Sequence, residues 1–195
     1  MPRYLIIYKP YGVISQFTPE VAGQVTLADV FDLPPGVYPV GRLDHDSEGL
    51  LLLTDDPRIN HRLLDPAFAH PRTYWVQVEG APDPDAAAAL RTGVDIHIKG
   101  KSWRTRPAQV SIFEVPPRLP PRIPPVRFRK TVPDHWLEIT LTEGKNRQVR
   151  RMCAAVGLPV LRLVRVGIGN IRGEMLQPGE LHELTRADVQ ALLGI

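Results

Sequence analysis

Four consecutive leucines, Leu50 to Leu53, constrain this chain more than any other feature. Side chains in a strand point alternately to its two faces, so an unbroken apolar run leaves neither face for water. It predicts a strand buried on both sides. The stretch Gly41 to Asp56, GRLDHDSEGLLLLTDD, sets Asp44, Asp46 and Glu48 directly ahead of that strand, with Arg42 and His45 among them. Carboxylates crowded in this way repel one another unless cations or a substrate balance them. Charge gathered at the mouth of a buried strand points to a site.

The rest of the chain narrows what the site can be. Its 195 residues suffice for one substantial core with room for two lobes. A single cysteine, Cys153, excludes an internal disulfide and a cysteine-built zinc cage. No apolar run approaches the ~18 residues of a membrane-spanning helix. The apolar stretch before Lys9 is too short for a signal-peptide core, so a cytoplasmic protein is expected. The net charge of +3 hides an asymmetry. Lys145, Arg147, Arg150, Arg151, Arg162, Arg165 and Arg172 fall between Glu143 and Glu174 with no acid among them. Arg118, Arg122, Arg127, Arg129 and Lys130 form a second acid-free stretch. Clustered arginine of this density is the footprint of a phosphate-rich partner, whereas a merely solvated face interleaves both signs.

Local patterning gives the elements. Tyr4–Tyr8 reads as a strand stopped by the turn Lys9-Pro10-Tyr11-Gly12. Thr26 caps a short helix, and Pro57–Leu64 predicts another with proline in its first turn. Arg72–Glu79 alternates and is rich in β-formers, and Asp83–Arg91 is a helix with acid at its start and Gly93 past its end. Gln109–Glu114, Trp136–Thr142, Leu161–Val166 and Glu180–Leu184 read as strands, and Lys145–Val156 as a helix stopped by Gly157. Thr185 with Asp188 resembles a capping box opening a last helix. Paired prolines between residues 116 and 130 force an extended backbone, predicting a stiff basic arm. Strands outnumber helices and mix irregularly with them, which indicates an α+β fold with a largely antiparallel sheet.

Several chemistries compete for the acidic cluster. Asp44, Asp46, Glu48 and Gly49 mimic the start of a calcium loop, but leucines occupy the later ligand positions and the flanks suggest strand. His45, His61 and His70 lack a recurring metal-ligand spacing, and no G-x-S-x-G nucleophile turn is present. None of these patterns reads as a metal site.

Four blocks in order, KP-Y-G at Lys9–Gly12, GRLDHDSEGLLLLT, RTYWV at Arg72–Val76 and EGKNRQVRRM at Glu143–Met152, resemble the RNA pseudouridine synthases. The likeness covers nearly the whole chain, and G-R-L-D in place of H-R-L-D is similar to the branch that modifies bacterial ribosomal RNA. It implies a central mixed, mainly antiparallel sheet in two halves, with flanking helices and the active cleft between the halves. It also implies roles. Asp44 matches the family's essential aspartate, the proposed nucleophile. Tyr74 matches the tyrosine that stacks on the target base, and Arg150 the basic residue that pairs with the aspartate. Arg42 matches an arginine proposed to help displace the base. Lys9, Arg147, Arg151, Arg162 and Arg165 are expected on the substrate side, the arginines holding phosphates that flank a flipped-out uridine.

Such chemistry suits these residue types. An ionised carboxylate can attack carbon 6 of uracil or the anomeric carbon, or remove a sugar proton. A guanidinium within reach keeps it charged. The chain begins its first catalytic strand at Tyr4, so a single domain over 1–195 is expected, without the S4-type domain found ahead of most relatives. Together with the proline-and-arginine insert, this resembles the short large-subunit synthases of the E type. The implied substrate is a uridine of large-subunit (23S) ribosomal RNA, near the peptidyl-transferase region, as free RNA or in an assembling particle, modified by a monomer. A non-catalytic RNA-binding or ribosome-assembly protein on the same scaffold is the competing expectation.

Overall fold

The computed structural model describes residues 1–127, 131–174 and 176–193. Its main sheet has nine strands. The continuous order runs Leu181–Glu183, Tyr4–Lys9, Glu48–Thr54, Val160–Ile168, Arg72–Glu79, Asp134–Leu141 and Gln109–Ile112, with Tyr38–Pro39 and Ile171–Arg172 paired at the side. All the pairings are antiparallel except that of Glu48–Thr54 with Val160–Ile168. This parallel seam, Val164 opposite Glu48 and Arg165 opposite Gly49, is where the two halves of the sheet meet. Gly49 is required there. Its φ is +102°, and a Cβ would overlap the Arg165 carbonyl oxygen.

The leucine run does what its pattern predicts, and more. Leu50 and Leu52 enter a core with Tyr4, Ile6 and Tyr8, covered by Ile59 and Leu63 of the helix Pro57–Leu64. Leu51 and Leu53 enter a different core on the opposite face, with Leu5, Ile7, Leu27 and Phe31. The four are at most 1% exposed, so each contributes roughly 1.5–3 kcal/mol of burial. A third core belongs to the other half. There Val76, Val78, Leu137 and Ile139 of the sheet pack on Leu90 of helix Pro84–Thr92 and on Val149 and Met152 of helix Gln148–Ala155.

Several expectations need correction. The helix expected from Lys145 begins at Gln148, because Arg147 is in the left-handed region at φ 51°. Gln148 ties off that start, its side chain accepting from the Lys145 N–H and donating to Glu143. A hairpin, Asp95–Ile98 with Lys101–Arg104, escaped the sequence reading. Its turn residues Lys99 and Gly100 both have positive φ, and Lys-Gly is a weak signal for such a turn. The strand expected over Gln109–Glu114 stops at Ile112.

The proline-rich arm has no helix or strand over residues 116–127, while Arg129 and Lys130 lie outside the described residues. It does not stand free. Leu119 packs on the first core, and Arg122 lies over the Tyr11 ring at 4.2 Å and donates to the Leu161 carbonyl. A stiff segment with apolar and stacking side chains lowers its energy by lying along the body, and this one lies beside the acidic loop.

Candidate active site

The loop from Asp44 to Ser47 leads into the buried strand and is fixed by backbone contacts. The Ser47 N–H donates to the Asp44 carbonyl (3.0 Å), and the Gly12 N–H to that of His45 (2.9 Å). Ser15 clamps the approach, its Oγ accepting from the Leu43 N–H and donating to the Leu43 carbonyl. A cleft of about 590 Å³ opens over the loop, lined among others by Arg42, Asp44, Tyr74, Trp103, Arg147 and Arg165. Asp44 and Tyr74 therefore share one cavity, although they come from different halves of the sheet. The Asp44 side chain is 35% exposed, with an Arg147 nitrogen 3.6 Å from its Oδ2.

The guanidinium partners are distributed differently from the sequence expectation. Arg150 engages Asp46: its Nη2 donates to the Asp46 carbonyl at 2.6 Å, and its Nε lies 3.4 Å from the Asp46 carboxylate. Arg147 makes a two-pronged bond to the same carboxylate (2.8 and 2.7 Å) while also facing Asp44. Two arginines thus converge on Asp46, and one of them bridges to Asp44. Burial works to raise the Asp46 carboxyl, but hydrogen bonds from Arg147 and the charge of Arg150 outweigh it, and the pKa falls. Burial depresses the Arg150 guanidinium, with Asp46 opposing.

Three other residues do not sit as expected. Arg162 is buried, paired to Glu48 at 2.6 and 2.9 Å and donating to the Pro120 carbonyl. It joins the seam to the arm and is not placed to hold a phosphate. Arg151 points away from the cleft, donating to carbonyls of Asn146 and of His97 on the hairpin. Lys9 is 0% exposed, its ammonium donating to the carbonyls of Pro10 (2.9 Å) and Val13 (2.6 Å). Its side chain is a prop beneath the loop, because alternation sends it to the interior face.

Burial pushes the Lys9 pKa down to about 7, against the opposing charges of Glu48, Asp46 and Asp44. The unfolded chain then holds that proton more strongly than the folded one between about 7 and 10.5. Stability contributed by Lys9 is accordingly least at neutral pH and rises as pH rises through that window. The expected result is a gap in urea midpoint between wild type and Lys9→Met that widens in favour of wild type from pH 7 to pH ~10. A gap independent of pH would refute this.

The cleft also contains Trp103 and Arg106, which the sequence did not flag. Trp103, on the overlooked hairpin, is 45% exposed, with the Lys145 ammonium 3.8 Å from its ring centre. Arg72, Arg106 and Lys145 add to the cationic lining. A tryptophan amid polar residues in KSWR was the one available signal for this lip. Among the described residues, no group of three His, Cys, Asp or Glu side chains is placed to hold a metal ion.

Known proteins match this arrangement. The family model for RNA pseudouridylate synthase matches residues 3–155. Ribosomal large subunit pseudouridine synthase E of Xanthomonas axonopodis pv. citri is 58% identical over 89% of this chain and 90% of its own. The Vibrio vulnificus protein of the same name is 49% identical over 94% of this chain and 75% of its own. A crystal structure described as a pseudouridylate synthase superposes with a TM-score of 0.79 at 30% identity, covering 98% of this chain and 74% of that one. With its two-halved sheet, its aspartate and tyrosine facing one cleft, and these matches, the chain belongs to the RNA pseudouridylate synthase family.

Proposed function

We propose that this protein isomerises a uridine of large-subunit ribosomal RNA to pseudouridine, with Asp44 as the attacking carboxylate. The observation that carries this is the placement of Asp44 and Tyr74 in one cation-lined cleft of about 590 Å³, large enough for a nucleotide swung out of its stack. In the reaction the Asp44 carboxylate bonds to C1′ as the N1–C1′ bond breaks, its electron pair leaving on the base. The base turns, and C5 displaces the carboxylate as the C5–C1′ bond forms. The C5 proton leaves to solvent and N1 gains one, so the product is an isomer. The change is redox-neutral and uses no external group donor, so neither cofactor nor metal is called for.

Arg147 faces Asp44 with a nitrogen 3.6 Å from its Oδ2, while Arg150 fixes the loop through the Asp46 backbone and carboxylate. Tyr74 offers a ring on which the base stacks and a hydroxyl for proton movement. To Arg42, which is exposed and lines the cleft, we assign the entry into the space that the base vacates. The relatives named as large-subunit synthases support ribosomal RNA as the substrate. We place the reaction in the cytoplasm and assign it to a monomer acting as one catalytic unit. Large-subunit ribosomal RNA from cells lacking the protein, incubated with it, is expected to acquire pseudouridine at a defined position, mapped by carbodiimide-blocked primer extension. RNA that remains unmodified would overturn the proposal.

The arm supplies electrostatic grip at its outward residues. Arg118 and Arg127 are exposed, whereas Leu119 and Arg122 fasten the segment to the body. Replacing Arg118 and Arg127 by alanine is expected to flatten the salt dependence of RNA binding by about one slope unit per residue, with no change in Tm. Deleting residues 116–125 is expected to lower Tm as well as affinity. An unchanged salt slope in the double variant would remove the arm from the RNA interface.

A further inference from the structure

Arg165 carries a buried charge that no carboxylate among the described residues neutralises. It lies on strand Val160–Ile168 directly opposite Tyr74, lines the cleft, and is 4% exposed. Its Nε donates to the Leu50 carbonyl at 2.8 Å, but its Nη2 is fully covered and has no hydrogen-bond partner. Among the described residues no carboxylate forms an ion pair with it. Three positions earlier on the same strand, Arg162 is also buried and is fully matched by Glu48. Neutralising a buried guanidinium is thus within this fold's means, and at Arg165 it is not done. Burial depresses its pKa, reinforced by the charge of Arg72 and opposed by the Tyr74 side chain, whose hydroxyl is its one side-chain hydrogen-bonding neighbour among the described residues. A buried cation without a counter-ion costs several kcal/mol in general, and an acceptor brought by a ligand recovers part of that cost.

Resting on the uridine isomerisation proposed above, we infer that Arg165 reads the target base, the edge of its guanidinium that lines the cleft donating to a carbonyl oxygen of the uracil seated against Tyr74. This is not the flanking-phosphate role expected from sequence, since a backbone phosphate outside the cleft cannot reach a guanidinium sealed at its floor. The contact is worth most during the reaction. When the N1–C1′ bond breaks towards the base, its electron pair spreads onto the uracil carbonyl oxygens, and a fixed cation in a dry site stabilises that charge. The pair returns to carbon when the C5–C1′ bond forms and the C5 proton leaves. Donation to a carbonyl also favours uracil at position 4, where cytosine presents an amino group.

The test compares wild type, Arg165→Met and Arg165→Lys on a ribosomal RNA fragment known to be modified by the wild type. Both variants are expected to lose at least ~100-fold in single-turnover rate while binding RNA within about threefold of wild type. The salt slope of binding should not change, because no phosphate contact is removed. Tm should hold in Arg165→Lys, whose ammonium retains reach to the Leu50 carbonyl. A phosphate role would instead weaken binding and reduce the slope by about one, and either that result or a wild-type rate overturns the inference. A second arm needs no variant. Wild type is given fragments bearing 2-thiouridine or 4-thiouridine at the target, and one of the two is expected to react at least tenfold more slowly, sulfur being a weak acceptor. Equal rates on both and on uridine would also overturn it. Failure of the functional reading is separately visible, because then the wild type itself would form no pseudouridine.

Discussion

Asp44→Asn is expected to abolish pseudouridine formation, by roughly 10⁴-fold or more, while leaving RNA binding intact or slightly tighter. The amide keeps the size of the side chain and its place in the cleft but cannot attack. Its one lost charge sat in a lining rich in Arg42, Arg72, Arg106, Lys145 and Arg147, so phosphates are repelled less once it is gone. Stability should change little, because the Asp44 side chain is 35% exposed and its Arg147 contact at 3.6 Å is the weaker of that arginine's two carboxylate contacts. Single-turnover rates and filter-binding affinities, measured on the same RNA, check both halves. A variant that turned over near the wild-type rate would remove Asp44 from the chemistry and leave an RNA-binding scaffold as the better description.

Arg150→Ala should lower turnover by about 10²-fold with only modest loss of affinity. The route differs from a direct pair with the nucleophile. Arg150 holds the Asp46 carbonyl at 2.6 Å, two residues after Asp44, and its removal frees the loop that aims the carboxylate. Misplacing a reacting group by an ångström costs a factor of that order. Asp46→Asn keeps the carbonyl that Arg150 holds and loses the carboxylate contacts, so it should give a smaller loss, with non-additivity in the double variant limited to the shared 3.4 Å contact. A fully additive cycle would show that Arg150 holds the loop through the Asp46 carbonyl and not through the carboxylate. A full-strength rate in Arg150→Ala would dismiss its positioning role altogether.

Much of this site was legible in the sequence. The G-R-L-D block and R-T-Y named Asp44 and Tyr74, and the structure brings both to one cleft. Patterning also located the strand Arg72–Glu79 and the helix Pro57–Leu64 with the right ends, because periodicity and a proline at the first helical position are local signals. The arginine count was legible as well, but not which arginine does what. Arg162 and Arg165 sit three apart in one strand and read alike, yet one faces Glu48 and the other faces the cleft. Lys9 looked like a substrate residue and is sealed inside. The hairpin carrying Trp103 was missed because its strands are four residues each, too short for alternation to register.

By itself the sequence determined the strand Arg72–Glu79, the helix Pro57–Leu64, the double-sided burial of Leu50–Leu53 and the acidic loop that opens it. These follow from side-chain period and from the cost of wetting apolar surface, both of which act over a few neighbouring residues. Tertiary structure alone decided which cation meets which carboxylate. Arg147 and Arg150 come from a helix start in the second half of the sheet, about a hundred positions beyond Asp46. Their pairing exists because one short parallel seam, closed over Gly49, sets the two halves side by side. Charges interact through space according to distance and burial, and no spacing along the chain encodes either.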